Sequence, residues 1–215
     1  MPSVGSKMPE MEQPTGITVE GVGVVARPPD RATVTFGATA RALSAAEAHR
    51  TAGGRMRSVL AALARLGIDA ADLATRQIQL SPTYDYSESG QRLTGYLARQ
   101  TLEVSVPRLD ELPAVLDRAV SAGADEVASV ALGIDDDAAS LREARAAAVA
   151  DARARAETLA VAAGVRVGPT TAIREAPREG PIVPLARMEA RAADTPVAPG
   201  TIELTVRVEV TFAIE

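Results

Sequence analysis

An α+β fold, a mostly antiparallel sheet built from hairpins with helices packed on one face, is what the sequence predicts, on three observations. Several segments alternate apolar and polar residues with the period of a half-buried strand. The clearest is "TIELTVRVEVTFAI", in which every even position from Ile202 to Ile214 is apolar. Two long segments instead repeat apolar or small residues at spacings of three and four, the period of a helix with one packed face. The two kinds of segment follow one another as β-β-α-β-β-α-β-α-β-β, the order expected where helices cover a sheet made of hairpins.

Residues 1–15 hold Pro2, Pro9 and Pro14 and no apolar run, and are predicted to be a disordered lead-in to a single domain over 16–215. "ITVEGVGVVA" reads as the first strand, with Ile17, Val19 and Val25 on one parity. Gly21 and Gly23 mark a bulge or a close backbone approach. "RPPD" is predicted to turn the chain into "RATVTFGATA", where Ala32, Val34, Phe36, Ala38 and Ala40 alternate with more polar positions, so that the two strands form a hairpin.

Ser44 with Glu47 three residues on is a capping-box signature, and it opens a helix whose stripe includes Ala52, Met56, Val59 and Leu63 before Gly67 stops it. Gly53 and Gly54 each weaken that helix by about 1 kcal/mol relative to Ala, so close packing is the expected reason for them. A second, short helix is predicted from Asp110 to Ala122, then a strand over "EVASVALGID". Asp135, Asp136 and Asp137 open a long third helix that runs to Gly164. In it Leu141, Ala144, Ala148, Ala152, Ala156 and Leu159 make a narrow small-residue face suited to close packing on a sheet. "VRVGPTTAIREA" is another strand, and residues 176–200, with five prolines, are predicted to be a loop before the last strand.

All three tyrosines lie in one predicted hairpin, "TYDYSESGQRLTGY". Its apolar residues are even-numbered on both strands, Ile78, Leu80, Tyr84 and Tyr86 going out and Tyr96, Ala98, Leu102 and Val104 returning. Directly opposed residues share a face, so paired numbers should sum to an even value. This predicts an odd-length loop centred on Gly90, with Tyr84 opposite Tyr96 or within one pair of it. It sets Tyr84, Tyr86 and Tyr96 on one face, continuous with the helix-packed face, and the tip beyond Pro82 is predicted to leave the main sheet.

Composition excludes several kinds of chemistry. The chain has 215 residues, no cysteine and one histidine, so thiolate nucleophiles, disulfides, thiolate zinc and histidine metal clusters are ruled out. A formal net charge of -5 argues against a nucleic-acid partner, which draws affinity from clustered positive charge. There is no apolar run of the ~18 residues that span a membrane, hence no transmembrane segment is expected. As written the chain also lacks a signal peptide, which predicts a cytoplasmic location, or a periplasmic or secreted one if a signal has been removed.

The stretches "GVGVVARPPDRA", "DLATRQIQLSPTYDY", "TGYLARQTLEVSV", "AVADARARAETLAVAAG" and "TPVAPGTIELTVRVEVTFAI", in this order, resemble the SIMPL-domain family. That family includes bacterial oxidative-stress defence proteins and periplasmic immunogenic proteins. The resemblance spans roughly Gly16 to Ile214 and implies a domain of largely unknown biochemical role, without accepted catalytic residues, with self-association into large assemblies in at least one relative. Matching positions such as Pro29, Asp30, Gly67, Pro82, Tyr84 and Tyr96 read as scaffold positions, and no catalytic residue carries over.

Candidate chemistry is sparse. Asp135, Asp136 and Asp137 could bind a hard cation, but acids before a helix more often cap it. His49 and Glu47 are two apart on a helix and point in different directions, which disfavours an acid-base pair. "GVG" lacks the third glycine and the helix of a nucleotide loop. The arginine-rich third helix reads as a solvated face with Asp151–Arg155 and Arg153–Glu157 pairs. Tyr84, Tyr86 and Tyr96 are the leading candidates for an interface or ligand contact, with subunit contact, packing on the protein's own helices and ligand binding all open. The sequence therefore predicts a non-enzymatic, homo-oligomeric module with no catalytic residue, cofactor or metal. A small-molecule or peptide binder using the tyrosine cleft is the alternative, and a hydrolase using Asp30 or Asp135 to Asp137 is the remote third.

Overall fold

The computed structural model describes residues 16–87, 90–177 and 199–215. Two compact units account for all regular elements. One holds β1 (Ile17–Arg27), α3 (Ala138–Ala163), β6 (Val167–Glu175) and β7 (Ile202–Ile214). The other holds β2 (Arg31–Ala42), α1 (Ala45–Leu66), β3 (Leu73–Ser87), β4 (Gly90–Val106), α2 (Leu112–Ala122) and β5 (Glu126–Gly133). The element order and the α+β class are those the sequence predicts. The lead-in over 1–15 and most of the proline-rich stretch, 178–198, lie outside the described residues.

In the first unit the sheet order is β1-β7-β6. β7 alternates as predicted, burying Ile202, Leu204, Val206, Val208, Val210 and Phe212, while Ile214 at its end is exposed. α3 lies on β1 through alanines. Ala144, Ala148, Ala152, Ala156 and Ala160 are buried in an i+4 row, a ridge inclined to the helix axis. Ala160 therefore takes the place predicted for Leu159, which is 51% exposed. The glycines of β1 are the other half of this contact. A Cβ on Gly21 would sit 2.1 Å from the Ala148 carbonyl oxygen, and one on Gly23 would sit 1.9 Å from that of Ala144. Close backbone approach, one of the two predicted readings, is the reason for both glycines.

The second unit has a sheet of order β3-β4-β2-β5. The β1–β2 hairpin expected from "RPPD" does not form, because β1 pairs in the three-stranded sheet while β2 lies between β4 and β5. Pro28 and Pro29 separate two strands of different sheets, and local turn chemistry carries no information about long-range pairing. The Asp30 carboxylate accepts the N–H of Asp135, far along the chain, at 2.8 Å, rather than a donor of its own turn. β2 buries Ala32, Val34, Phe36 and Ala38, which form the core with Met56, Val59 and Leu63 of α1 and Leu112, Val115 and Ala119 of α2, while its buried Ala40 joins Ala48, Ala52 and Ala98 in a smaller cluster. α1 begins and ends as predicted. The Ser44 hydroxyl accepts the Glu47 N–H at 3.3 Å, and Gly67 closes the helix at φ 95°. The close packing expected at Gly54 is absent, since a Cβ there meets only the Arg57 guanidinium at 4.0 Å.

The tyrosine hairpin and its cleft

The register of β3 on β4 is set by two bulges. From Gln77↔Thr101 to Thr83↔Gly95 paired numbers sum to an even value, and Ile78 and Leu80 share a face with Ala98, as the pattern demands. One bulge lies at Arg76, so that Leu73, on the other parity, joins Val104 on the core face. The second lies at Thr94, after which Tyr84 opposes Leu93 and Ser87 opposes Gly90. Ser87 thus pairs with Gly90, an odd sum, which corrects the even sum and the odd loop centred on Gly90 that the sequence predicts. Tyr96 opposes Pro82 rather than Tyr84. Beside the Thr94 bulge, Gly95 has φ 154° and lies so close to the end of β2 that a Cβ on it would sit 2.6 Å from the Ala42 carbonyl oxygen. Its conformation therefore answers to β2 rather than to the hairpin. Thr94 also donates its hydroxyl to the Thr83 carbonyl at 3.0 Å.

Parity along β3 is unbroken from Pro82 to Tyr86, so the three tyrosines do share a face, and all three line one cleft of about 720 Å³ with Arg41, Leu43 and Pro82. Their roles differ. Tyr96 packs with Ala40, Ala42 and Ala98 and with Ala48 and Ala52 of α1. Tyr84 and Tyr86 are 42% and 76% exposed, and Gln91 reaches the Tyr86 hydroxyl at 3.2 Å. β2 ends where Ala42 opposes Tyr96, so beyond this point the hairpin continues as a two-stranded ribbon. The tip leaves the main sheet as predicted, but β3 runs through Pro82 without a break; it is an edge strand, where a missing N–H is tolerated.

The predicted continuity with the helix-packed face is only partial. Ile78 and Leu80 have the right parity but are 59% and 44% exposed, because α1 sits mainly over β4 and β2 and little over β3. Pattern alone could not reveal this, since parity tells which face a residue is on and not how far a helix reaches across it. Arg41 and Leu43 were also missed, and their position directly after the last alternating residues of β2 is the only sequence signal for them.

The other candidate residues are occupied in holding the fold. Asp135 pairs with Arg31, and Asp136 accepts the Ala138 N–H at 2.9 Å, while Asp137, at the N-cap position of α3, makes no side-chain capping bond, so the expected cap forms only in part. His49 is exposed on α1. Both predicted pairs on α3 form, Arg155 to Asp151 at 2.9 Å and Arg153 to Glu157 at 3.1 Å. Asp125 accepts the Thr39 N–H at 2.9 Å, the Thr39 hydroxyl at 2.7 Å and Arg55 at 3.0 Å. Arg145 grips Glu175 through Nε and Nη2 at 3.0 and 3.1 Å. The Arg76 guanidinium beside Glu103 holds that carboxyl below the usual carboxylate range. Among the described residues no group of three or more acidic, histidine or cysteine side chains could hold a metal ion, and no helix is long and apolar enough to cross a membrane.

Comparison with known proteins agrees with this scaffold. Residues 17–212 match SIMPL, a family described as a protein of unknown function (DUF541). The chain is 34% identical to the 26 kDa periplasmic immunogenic protein of Brucella melitensis, over 100% of this chain and 91% of that one. It is 31% identical to the uncharacterized protein YggE of Escherichia coli K12, over 95% and 86% of the two chains. It is 35% identical to the protein of the same name from Edwardsiella ictaluri, over 76% and 70%. With the match running from the first strand to the last, the chain belongs to the SIMPL family.

Proposed function

We propose that this protein is a non-enzymatic module whose work is self-association, with the tyrosine hairpin as its leading contact element. One observation carries the reading: a ribbon that runs past the end of β2 and holds Tyr84 and Tyr86 in solvent. Amphipathic rings on a projecting, preformed element are typical of association surfaces, since they bury much area at little entropic cost. The absence of a reaction is supported by the employment of Asp30, Asp125, Asp135 and Asp136 in capping and pairing contacts. A part in oxidative-stress defence would have to proceed without thiol chemistry, because the chain has no cysteine. A periplasmic location is favoured over the cytoplasmic one, on the name of the Brucella relative.

Light scattering across a concentration series tests the reading. Association above the monomer mass is expected, and a monomer at every concentration would overturn it. A second reading, a small-molecule or peptide binder, is favoured by the cleft itself, which the three tyrosines line together with Arg41. A thermal shift on a metabolite and peptide panel that is lost in Tyr84→Ala would support it.

A further inference from the structure

The outer edge of β3 is unlike an edge that a protein keeps apart from its neighbours. Native edge strands are blunted by charge, by proline or by brevity. β3 has 15 residues, and from Gln77 to Tyr84 it carries no Asp, Glu, Lys or Arg. Every residue from Thr75 to Leu80 is exposed. One face of the strand presents Ile78, Leu80, Tyr84 and Tyr86, all exposed, with Pro82 among them. Between Gln77 and Tyr84, Pro82 is the single blunting residue.

We propose that this edge pairs with the same edge of a second copy, the two β3 strands running antiparallel about Leu80 to join two four-stranded sheets into one. This rests on the self-association reading and names its contact. Three features select a second copy as the occupant. A two-fold axis through Leu80 sets Leu80 opposite Leu80 and Ile78 opposite Pro82, so even numbers meet even numbers and both apolar faces lie on the same side. The charges flanking the neutral segment, Arg76 and Asp85, have opposite signs, so antiparallel pairing brings each end toward its complement and parallel pairing would bring like to like. The neutral segment also lets two chains of net charge -5 approach without setting acid against acid.

Area sets a further requirement. The exposed parts of Tyr84 and Tyr86 amount to about 240 Å², taking ~200 Å² per ring. That is under a third of the ~800 Å² per partner of a stable contact, and Ile78, Leu80, Leu93 and the strand backbone must add the rest.

The cysteine-free chain makes the test clean. Wild type, Leu80→Lys and Val130→Lys, the last on the opposite edge strand β5, are compared by light scattering and circular dichroism. Leu80→Cys and Val130→Cys are compared for disulfide-linked dimers under mild oxidation. The expected result is association of wild type and Val130→Lys, at least tenfold weaker association of a fully folded Leu80→Lys, and a covalent dimer from Leu80→Cys alone. If wild type and Leu80→Lys associate equally and Leu80→Cys stays monomeric, the edge assignment is overturned while the self-association reading stands. If wild type is monomeric throughout, both fall.

Discussion

The backbone N–H of Val22 in β1 donates to the carboxylate of Asp151 in α3 across 2.9 Å, and Arg155 holds the same carboxylate at 2.9 Å. The Val22 bond, with the Arg155 contact second, holds the Asp151 carboxyl below its ordinary value of 3.8. A lowered folded value means that this contact stabilises once pH exceeds the unfolded value, and that the benefit is withdrawn as pH falls through the folded one. Thermal melts of Asp151→Asn should show a lower Tm at pH 7 and a smaller loss of Tm than wild type on acidification below about pH 4. Parallel acid limbs for the two proteins would contradict this.

Glycines that look alike in the sequence should respond in opposite senses. Gly23→Ala must displace the β1 backbone from Ala144, and a cost of about 3 kcal/mol or more is expected. Gly54→Ala fills open space in the middle of a helix and should stabilise by about 0.5–1 kcal/mol. Denaturant midpoints of the two variants should therefore move in opposite directions.

The tyrosines should separate by the same kind of measurement. Tyr96→Ala removes a ring packed on Ala48, Ala52 and Ala98 and should cost about 2–3 kcal/mol. Tyr84→Ala and Tyr86→Ala should each change stability by no more than about 0.5 kcal/mol. Their effect should appear instead as weaker association in light scattering, with circular dichroism unchanged.

Asp125 ties the end of α2 to β2 by accepting from Thr39 and Arg55. Asp125→Ala leaves the Thr39 N–H without that acceptor and should cost about 1 kcal/mol, the worth of an exposed side-chain to backbone bond. Arg55→Ala should cost less, since the exposed ion pair contributes little on its own. Equal losses in the two variants would point to the pair rather than the backbone bond.

Local pattern was enough for what depends on neighbours in the chain. The alternation of β2 and β7, the Ser44 cap, the Gly67 stop and the Asp151–Arg155 pair were all legible, because each is set by spacing within a few residues. Which strands pair was decided by the tertiary structure: β1 and β2 are neighbours in sequence, yet they pair in different sheets. The bulges at Arg76 and Thr94 were hidden for a related reason. Each inserts one unpaired residue, and the Thr94 bulge adjoins Gly95, packed against Ala42 of another strand. The sequence by itself determined that Tyr84, Tyr86 and Tyr96 share a face. Only the packed structure decided that Tyr96 is spent on the protein's own alanines while Tyr84 and Tyr86 stand in solvent, because burial depends on how far α1 reaches across the sheet.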